Sequence, residues 1–195
     1  MLKEGYAMHM PSPNTVAPAQ GLYQPDEFKD NCGFGLIAHM KGESSHHLVE
    51  TAIHSLSCMT HRGGIAADGK TGDGCGLLLA MPKQFFRDEA KKLSDITLSE
   101  IFAVGTVFLN IDPALAQHSK NILTKEIESE GLRVLAWRIV PTNNDALGEI
   151  ALQSLPAFEQ VIVNCPMGVT EVEFNRKLFL ARRRAEQLLV NDTSF

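Results

Sequence analysis

The sequence is poor in the features that mark secreted, membrane-bound or metal-stabilised proteins. It has only four cysteines, and no two of them form the C-x-x-C pair that is common in zinc sites. The first residues lack the basic and apolar regions of a secretory signal, and no apolar run approaches the length of a membrane-spanning helix. We therefore expect a cytoplasmic protein with reduced thiols, no membrane partner and no structural zinc ion. The cysteines are Cys32, Cys58, Cys75 and Cys165.

The sequence also contains relatively few basic residues. The 18 lysines and arginines are outnumbered by 23 aspartates and glutamates, which gives a formal net charge of -5. This balance argues against a nucleic acid partner, because a phosphate backbone requires a basic surface. The one dense basic run, Arg182–Arg184, falls within a predicted helix and is interpreted as a solvated face. The rest is ordinary globular composition, 44% hydrophobic and 21% charged, in a chain of 195 residues that can bury one sizeable core.

The turn residues and periodic segments predict an extended leader followed by strands and helices. Residues 1–31 contain four prolines among small and polar residues and show no sustained period. Helix starts are indicated by a serine at 44 or 45, by Pro82, by Asp112 before a proline, and by Thr170 in a capping box. The predicted strands are Gly33–Met40, Leu77–Met81, Ile101–Leu109, Leu132–Val140 and Gln160–Asn164. The predicted helices end near Met59, Leu93, Glu130, Leu155 and Leu189.

The last predicted helix is followed by no closing signal before Phe195. We therefore expect the chain to be a fragment, or a domain cut before its end.

Histidines recur every seven residues in the first predicted helix. His47, His54 and His61 form this series, and Glu50 lies between the first two. Two helical turns separate successive members by about 10 Å along the axis, which is too far for shared metal ligation. They are therefore interpreted as surface or hydrogen-bonded histidines, and no metal site is predicted.

The segment Gly64–Thr71 matches the phosphate-loop pattern G-x-x-x-x-G-K-T letter for letter. A phosphate-binding loop needs a strand before it and a helix after it, because the helix N-terminus and successive amides hold the phosphates. Here the preceding segment is predicted to be helical, and the following run of glycines cannot sustain a helix. The sequence therefore predicts no nucleotide site, and ATP should not raise the thermal stability of the protein.

One cysteine stands at the junction between the leader and the first predicted strand. Alone, Cys32 is consistent with a small buried residue. Taken together, however, the blocks Cys32–His39, His61–Gly64 and Thr71–Leu78 resemble the start of the class II glutamine amidotransferase domain. The third block, together with Phe102–Leu109, resembles the large subunit of the bacterial glutamate synthase family in particular.

This resemblance implies an α+β fold, the four-layer αββα sandwich of the N-terminal nucleophile hydrolases, incomplete in this chain. It implies that residues 1–31 are a propeptide removed at the Asn31–Cys32 bond, and that residues 32–195 are the N-terminal portion of the amidotransferase domain. Cleavage would free an α-amino group whose pKa of about 7.7 to 8.0 lets it act as a base for the thiol.

The resemblance also implies the site residues. Cys32 is the expected nucleophile, and Gly33, Phe34, Arg62 and Gly63 are expected beside it. For Arg62 a second interpretation stays open, in which a buried arginine braces the turn. Asp73 is expected to bind local backbone amides rather than to react.

The expected substrate is glutamine, whose ammonia would pass to a downstream synthase domain for amination of 2-oxoglutarate. The family implies FMN and an iron–sulfur cluster elsewhere in the full protein, with NADPH and FAD on a small reductase subunit, and no cofactor in this chain. The family's carboxylate-binding arginine and oxyanion-binding Asn-Gly pair have no match before Phe195. Since one oxyanion donor contributes about 3 to 4 kcal/mol, the isolated chain is expected to be nearly inactive.

Two alternatives to this function remain. One is a non-catalytic structural or interaction module that keeps the same fold. The other is a different cysteine-dependent amidohydrolase of the N-terminal nucleophile type.

Overall fold

The computed structural model describes residues 33–59, 64–72 and 74–190 of the chain. The chain divides into two units, residues 1–63 and residues 64–195. Within the described ranges, no helix has the length and apolar character that crossing a membrane requires.

The first unit contains one helix, α1, which spans His46–Cys58. Its N-cap is Ser45, whose hydroxyl accepts a hydrogen bond from the amide of Leu48 at 3.4 Å, as the sequence predicted. The predicted strand Gly33–Met40 is wrong, because these residues follow an irregular path. A strand needs a hydrogen-bonded neighbour. The described part of this unit holds no second strand, and the apolar side chain of Phe34 is 94% exposed.

The second unit is built around a three-stranded antiparallel sheet. Its strands are β1 (Phe102–Leu109), β2 (Arg133–Ile139) and β3 (Ala157–Asn164), in the spatial order β1-β3-β2. The helices are α2 (Lys83–Ser94), α3 (Pro113–Ser129), α4 (Glu149–Gln153) and α5 (Glu171–Val190), and a 3₁₀ turn covers Asn144–Ala146. The three strands and four helices were predicted, although β3 begins three residues earlier than expected, whereas the 3₁₀ turn lies where a loop was expected.

The helix boundaries follow the capping residues that the sequence indicated. Asp112 accepts hydrogen bonds from two first-turn amides of α3, and Gly131 just beyond that helix has a φ of 74°. At α5 the amide of Glu173 donates to the hydroxyl of Thr170 at 3.3 Å. Pro82 occupies the N-cap of α2 instead of the first helical position, one residue from the prediction.

The sheet is packed on both faces, because consecutive residues of the central strand β3 point to opposite sides. Val161 and Val163 pack with Phe174 of α5 in one core cluster. Ile162, between them, packs with Phe86 and Ala90 of α2 in a second cluster. The second unit is therefore an α+β arrangement in which helices cover both faces of the sheet.

A bulge in β2 preserves this alternation. The register shifts between Val134 and Ala136, so that Leu135 is the extra residue. As a result Trp137 lies on the α3–α5 face and the neighbouring Arg138 lies on the α2 face. There the guanidinium of Arg138, a residue that is only 8% exposed, donates to Glu89 of α2 at 2.8 and 3.0 Å. This ion pair between a buried arginine and a partly buried glutamate ties α2 to the sheet.

The predicted strand Leu77–Met81 is also wrong. The segment has no ladder partner among the described residues, and its side chains are exposed, completely so at Leu78. The apolar composition of this segment is typical of a buried strand, which is why a strand was predicted. A strand also needs a neighbouring strand to pair with, and none is found among the described residues.

Candidate active site

Only two of the residues predicted for the site lie in the described ranges. Gly33 and Phe34 are both exposed and belong to the irregular segment that precedes α1. The others lie outside the described residues: they are Asn31, Cys32, Arg62, Gly63 and Asp73.

Two of the histidines of α1 lie close to a side chain one helical turn away. The Nε2 atom of His54 lies 3.8 Å from the sulfur of Cys58, and the Nδ1 atom of His46 lies 3.4 Å from a carboxylate oxygen of Glu50. In the described part of the chain, no three side chains of metal-ligating type come together. His61, the last member of the predicted series, lies outside the described residues.

The glycine-rich segment forms a tight hairpin at the start of the second unit. A β-bridge joins Ile65 to Gly72, and the amide of Ala66 donates to the carbonyl of Thr71 at 2.8 Å. At the tip, Gly69 adopts a φ of +71°, which glycine tolerates without strain. The glycine at the tip therefore allows a tight turn here.

One carboxylate organises this turn. Asp68 accepts hydrogen bonds from the amides of Lys70 at 3.1 Å and Thr71 at 2.8 Å, and from the hydroxyl of Thr71 at 2.5 Å. It also accepts a bond at 3.1 Å from the amide of Ile150, in the first turn of α4. The hydroxyl of Thr71 in turn accepts a bond from the amide of Ala151 at 3.2 Å.

These long-range bonds cap the helix α4. The N-cap position of α4 is Gly148, which makes no side-chain capping bond. Asp68 and Thr71 therefore supply the acceptors that a serine or aspartate at that position normally provides. Space at the contact is minimal, because a Cβ atom on Gly148 would collide with the side-chain oxygens of both residues and lie 2.7 Å from the amide nitrogen of Thr71.

The same contacts change the acidity of Asp68. The hydroxyl of Thr71, then its amide, then the amides of Ile150 and Lys70 hold the pKa of this carboxyl well below its usual value of 3.8. Asp68 is therefore an anion throughout the physiological range, and the anion is saturated with hydrogen-bond donors.

The phosphate-loop match is rejected on the structure as well as on the sequence. No helix occurs among the described residues between Thr71 and Pro82. The amides of Lys70 and Thr71, which a bound phosphate would need, already donate to Asp68. The amides of the turn therefore bind the carboxylate of Asp68, an anion of the same chain.

The sequence did not predict that Asp68 and Thr71 bond to the first turn of α4, close to Gly148. An Asp-Gly pair near a threonine is a signal for a local turn with side-chain capping. The partner of that turn lies 82 residues further along the chain, at Ile150. No pattern within the hairpin indicates this pairing. The one available sign is at α4, where the N-cap residue Gly148 has no side chain that could cap the helix.

Comparison with known protein families identifies the family of this chain. The family model of the class-II glutamine amidotransferases matches residues 32–194, nearly everything after the predicted leader. The chain belongs to the class-II glutamine amidotransferases, as the resemblance implied.

Within that family the chain is similar to glutamate synthases. It is 38% identical over 174 residues to the glutamate synthase [NADPH] large chain of Bacillus subtilis, 38% over 183 residues to ferredoxin-dependent glutamate synthase 2 of Synechocystis sp., and 39% over 166 residues to the glutamate synthase [NADPH] large chain of Azospirillum brasilense. The alignments cover 89%, 92% and 85% of this chain, but only 11%, 12% and 11% of those proteins. The chain therefore spans about a tenth of the length of these relatives.

Proposed function

We propose that this chain carries the glutamine-hydrolysing part of a glutamate synthase, with Cys32 as the nucleophile. The observation that carries the proposal is the family match, which begins at Cys32 itself. A match that starts at a cysteine supports a mature domain whose first residue is that cysteine. It also supports the division into a leader, residues 1–31, and an amidotransferase portion, residues 32–195.

Removal of the leader at the Asn31–Cys32 bond would create the catalytic base. Before cleavage the nitrogen of Cys32 is an amide, which cannot take up a proton. After cleavage it is an α-amino group with a pKa of about 7.7 to 8.0, so part of it is unprotonated at neutral pH and can accept the thiol proton. The nucleophile and its base would thus belong to one residue.

The proposed reaction is an acyl transfer in two steps. The thiolate of Cys32 attacks the side-chain amide carbon of glutamine, and the nitrogen leaves as ammonia after taking up a proton. Water then attacks the resulting γ-glutamyl thioester, which releases glutamate and restores the thiol. Ammonia would pass on to aminate 2-oxoglutarate.

Gly33, Phe34, Arg62 and Gly63 are proposed to surround the nucleophile. Gly33, together with Gly35, leaves room beside the sulfur, since glycine carries no Cβ atom. Arg62 either shapes the pocket for glutamine or braces the turn, as the sequence left open. We further propose that the complete domain adopts the four-layer αββα sandwich of the N-terminal nucleophile hydrolases, to which the described three-stranded sheet contributes.

The wider setting follows from the relatives and is proposed on the same basis. A cytoplasmic protein would combine this chain with a synthase domain that uses FMN and an iron–sulfur cluster, and with a reductase subunit that carries NADPH and FAD. Such a cluster is held by cysteine thiolates. In the proposal the cluster belongs to the synthase domain, and no step of the reaction at Cys32 passes through it.

Mass spectrometry of the natural gene product tests the nucleophile. We expect the N-terminus at Cys32, glutamine-dependent ammonia release, and a γ-glutamyl hydroxamate when hydroxylamine traps the thioester. Cys32→Ala should abolish the last two. The matched control is Cys58→Ala, which removes an exposed thiol on α1 and should leave the rate of hydrolysis unchanged.

Other results would refute the proposal or favour one of the alternatives. Active protein that keeps residues 1–31, or unchanged hydrolysis in Cys32→Ala, would refute the proposal. A thioester formed from another amide but not from glutamine would favour a different amidohydrolase. A correctly processed protein that forms no thioester would favour the non-catalytic module.

A further inference from the structure

We propose that the outer edge of β1 pairs with one more strand, which the natural gene product supplies from the residues that follow α5. The added strand would run antiparallel to β1, on the side of β1 that faces away from β3. The relatives are much longer than the aligned region, so proteins of this kind have further chain from which such a strand can come. The inference concerns the second unit alone and does not rest on the glutamine chemistry proposed above.

The connections of the sheet predict the side on which the strand is added. Both β1 and β2 pair antiparallel with β3, so they are parallel to each other, and α3 crosses from one to the other. Helix α5 follows β3 and packs in the same core cluster as α3, so both helices lie on one face of the sheet. Crossovers between parallel strands are right-handed in almost every known case. Because β3 runs opposite to β1, a right-handed crossover through α5 returns to the sheet beyond β1 and not beyond β2.

This order of elements is a known supersecondary pattern. Apart from the short helix α4, the sheet and its two helices follow one another as β1, α3, β2, β3 and α5. These are the first five elements of the split β-α-β-β-α-β arrangement, whose sixth element is a strand beside the first. The topology therefore predicts the same neighbour for β1 as the handedness does.

The backbone of β1 offers hydrogen-bonding groups on its outer side. The amide of Cys165 donates to the carbonyl of Ile101 at 3.1 Å, at the continuation of the register between β1 and β3. Bonded and non-bonded pairs alternate along an antiparallel ladder, so the odd-numbered residues of β1 bond to β3. The even-numbered residues direct their N–H and C=O groups away from β3, where the described residues place no other strand. They include Val104, Thr106 and Phe108.

The two edge strands differ in how they are protected against pairing. Free edges in natural proteins commonly carry charged residues, proline or a bulge. In β2 these features are present, with Arg133 at its start, the bulge at Leu135 and Pro141 shortly after its end. In β1 there is no charged residue and no proline, and its register with β3 is continuous. The edge of β1 therefore has the character of a strand inside a sheet, whereas the edge of β2 has the character of a free edge.

An apolar surface lies where the added strand would begin. Phe108 is 66% exposed, and it lines an open depression together with Ile111, Leu155 and Pro156. An antiparallel strand starts opposite the end of its neighbour, so the added strand would enter the sheet beside Phe108. Apolar side chains at its start would remove this surface from water, which favours the pairing.

Photo-crosslinking in the natural gene product tests the position and the source of the strand. Phe108 is replaced by p-benzoylphenylalanine, which keeps the aromatic ring, and crosslinked peptides are mapped by mass spectrometry. Opposite side chains on neighbouring strands lie about 4.5 to 5.5 Å apart, within reach of the label. We expect a crosslink within one molecule to the segment that follows α5. The matched control carries the label at Ile139, an exposed residue of the other edge strand, and should not crosslink to this segment.

Hydrogen exchange of the unmodified protein provides a measurement that needs no variant. The amide of Val140 donates to the carbonyl of Phe158 at 3.0 Å, so the amide of its neighbour Ile139 points outward from β2. We expect the outward amides of Val104 and Thr106 to exchange at least about tenfold more slowly than that of Ile139, because only β1 gains a partner.

Slow exchange at β1 together with the intramolecular crosslink is the expected result. Exchange at Val104 and Thr106 as fast as at Ile139 would overturn the proposal. A crosslink from position 108 to a second molecule would show a contact between copies of the chain, and a crosslink to a segment that does not follow α5 would show another occupant; either result, or the absence of any crosslink, would also overturn it. None of these measurements involves Cys32 or glutamine, so their outcome is independent of the proposed function.

Discussion

The substitution Ile162→Ala tests whether both faces of the sheet are true cores. Ile162 is fully buried on the central strand β3, against Phe86 and Ala90 of α2. Its neighbour Val163 is 2% exposed and faces the other helical layer. If α2 only rested loosely on the sheet, Ile162 would tolerate truncation far better than its complete burial implies.

The magnitude follows from the atoms removed. Isoleucine loses three carbons on change to alanine, and each buried carbon contributes about 0.8 kcal/mol, so the transfer contribution is about 2.4 kcal/mol. The remaining cavity adds to this, and we expect a total loss of about 3 to 4 kcal/mol in the free energy of unfolding. The matched control is Ile139→Ala on edge strand β2, where the side chain is 75% exposed. That change should cost less than about 1 kcal/mol.

Urea unfolding followed by tryptophan fluorescence measures both losses. Trp137 is the one tryptophan of the chain, packs against the α3–α5 core, and donates from its indole nitrogen to the hydroxyl of Thr124 at 3.3 Å. With a urea slope of about 1.5 kcal/mol per molar, Ile162→Ala should lower the midpoint by about 2 M. Should the variant not fold, Ile162→Val should cost about 1 kcal/mol. A loss at Ile162→Ala no larger than that at Ile139→Ala would refute the reasoning.

Three further predictions concern single side chains and one glycine. Since the pKa of Asp68 is depressed, its contribution to stability is complete above the unfolded pKa and is lost as the pH falls through the lower folded value; the urea midpoints of the wild type and Asp68→Asn should therefore differ by a constant amount at neutral pH and converge below about pH 4. Gly131→Ala should cost about 1 kcal/mol in thermal or urea unfolding, because the φ of +74° at this position disfavours a side chain. Burial raises the pKa of the Cys165 thiol, and nearby acidic charges add to this, so iodoacetamide should alkylate Cys165 more slowly than the exposed Cys58 at pH 8, as peptide mass spectrometry can measure.

The sequence indicated the elements of the second unit well because their signals are local. The N-cap at Asp112, the capping residue Thr170 and the helix end near Glu130 each depend on residues within one helical turn, and each is found where the pattern placed it. The consecutive apolar residues Val161, Ile162 and Val163 of β3 likewise match a strand that is buried on both faces. What could not be predicted was the bulge in β2, which depends on the partner strand.

The two wrong strands share a physical cause. Gly33–Met40 and Leu77–Met81 have the apolar content of strands, but strand formation depends on a neighbouring chain that pairs with them. Composition measures only the tendency of each segment and says nothing about that neighbour. Exposed side chains such as Phe34 and Leu78 show that the described residues do not provide it.

The family assignment and the site geometry depend on different kinds of information. Three short blocks of sequence were enough to indicate the class II amidotransferases, because the residue types and their order identify a shared chemistry. The geometry of a site depends instead on contacts between distant segments, which a local pattern does not contain. The roles of Cys32 and Arg62 therefore stay predictions, and chemical labelling of Cys32 is the measurement that tests the first of them.

The hairpin of residues 64–72 illustrates this difference at atomic scale. Its letters satisfy a phosphate-binding pattern, and its amides do bind an anion, but the anion is the carboxylate of Asp68. Because that carboxylate and the hydroxyl of Thr71 reach the amides of α4, the same residue types that suggest nucleotide binding instead join two parts of one unit. If this interpretation is right, Asp68→Ala should free the amides of both segments to exchange faster, while inorganic phosphate should not restore their protection.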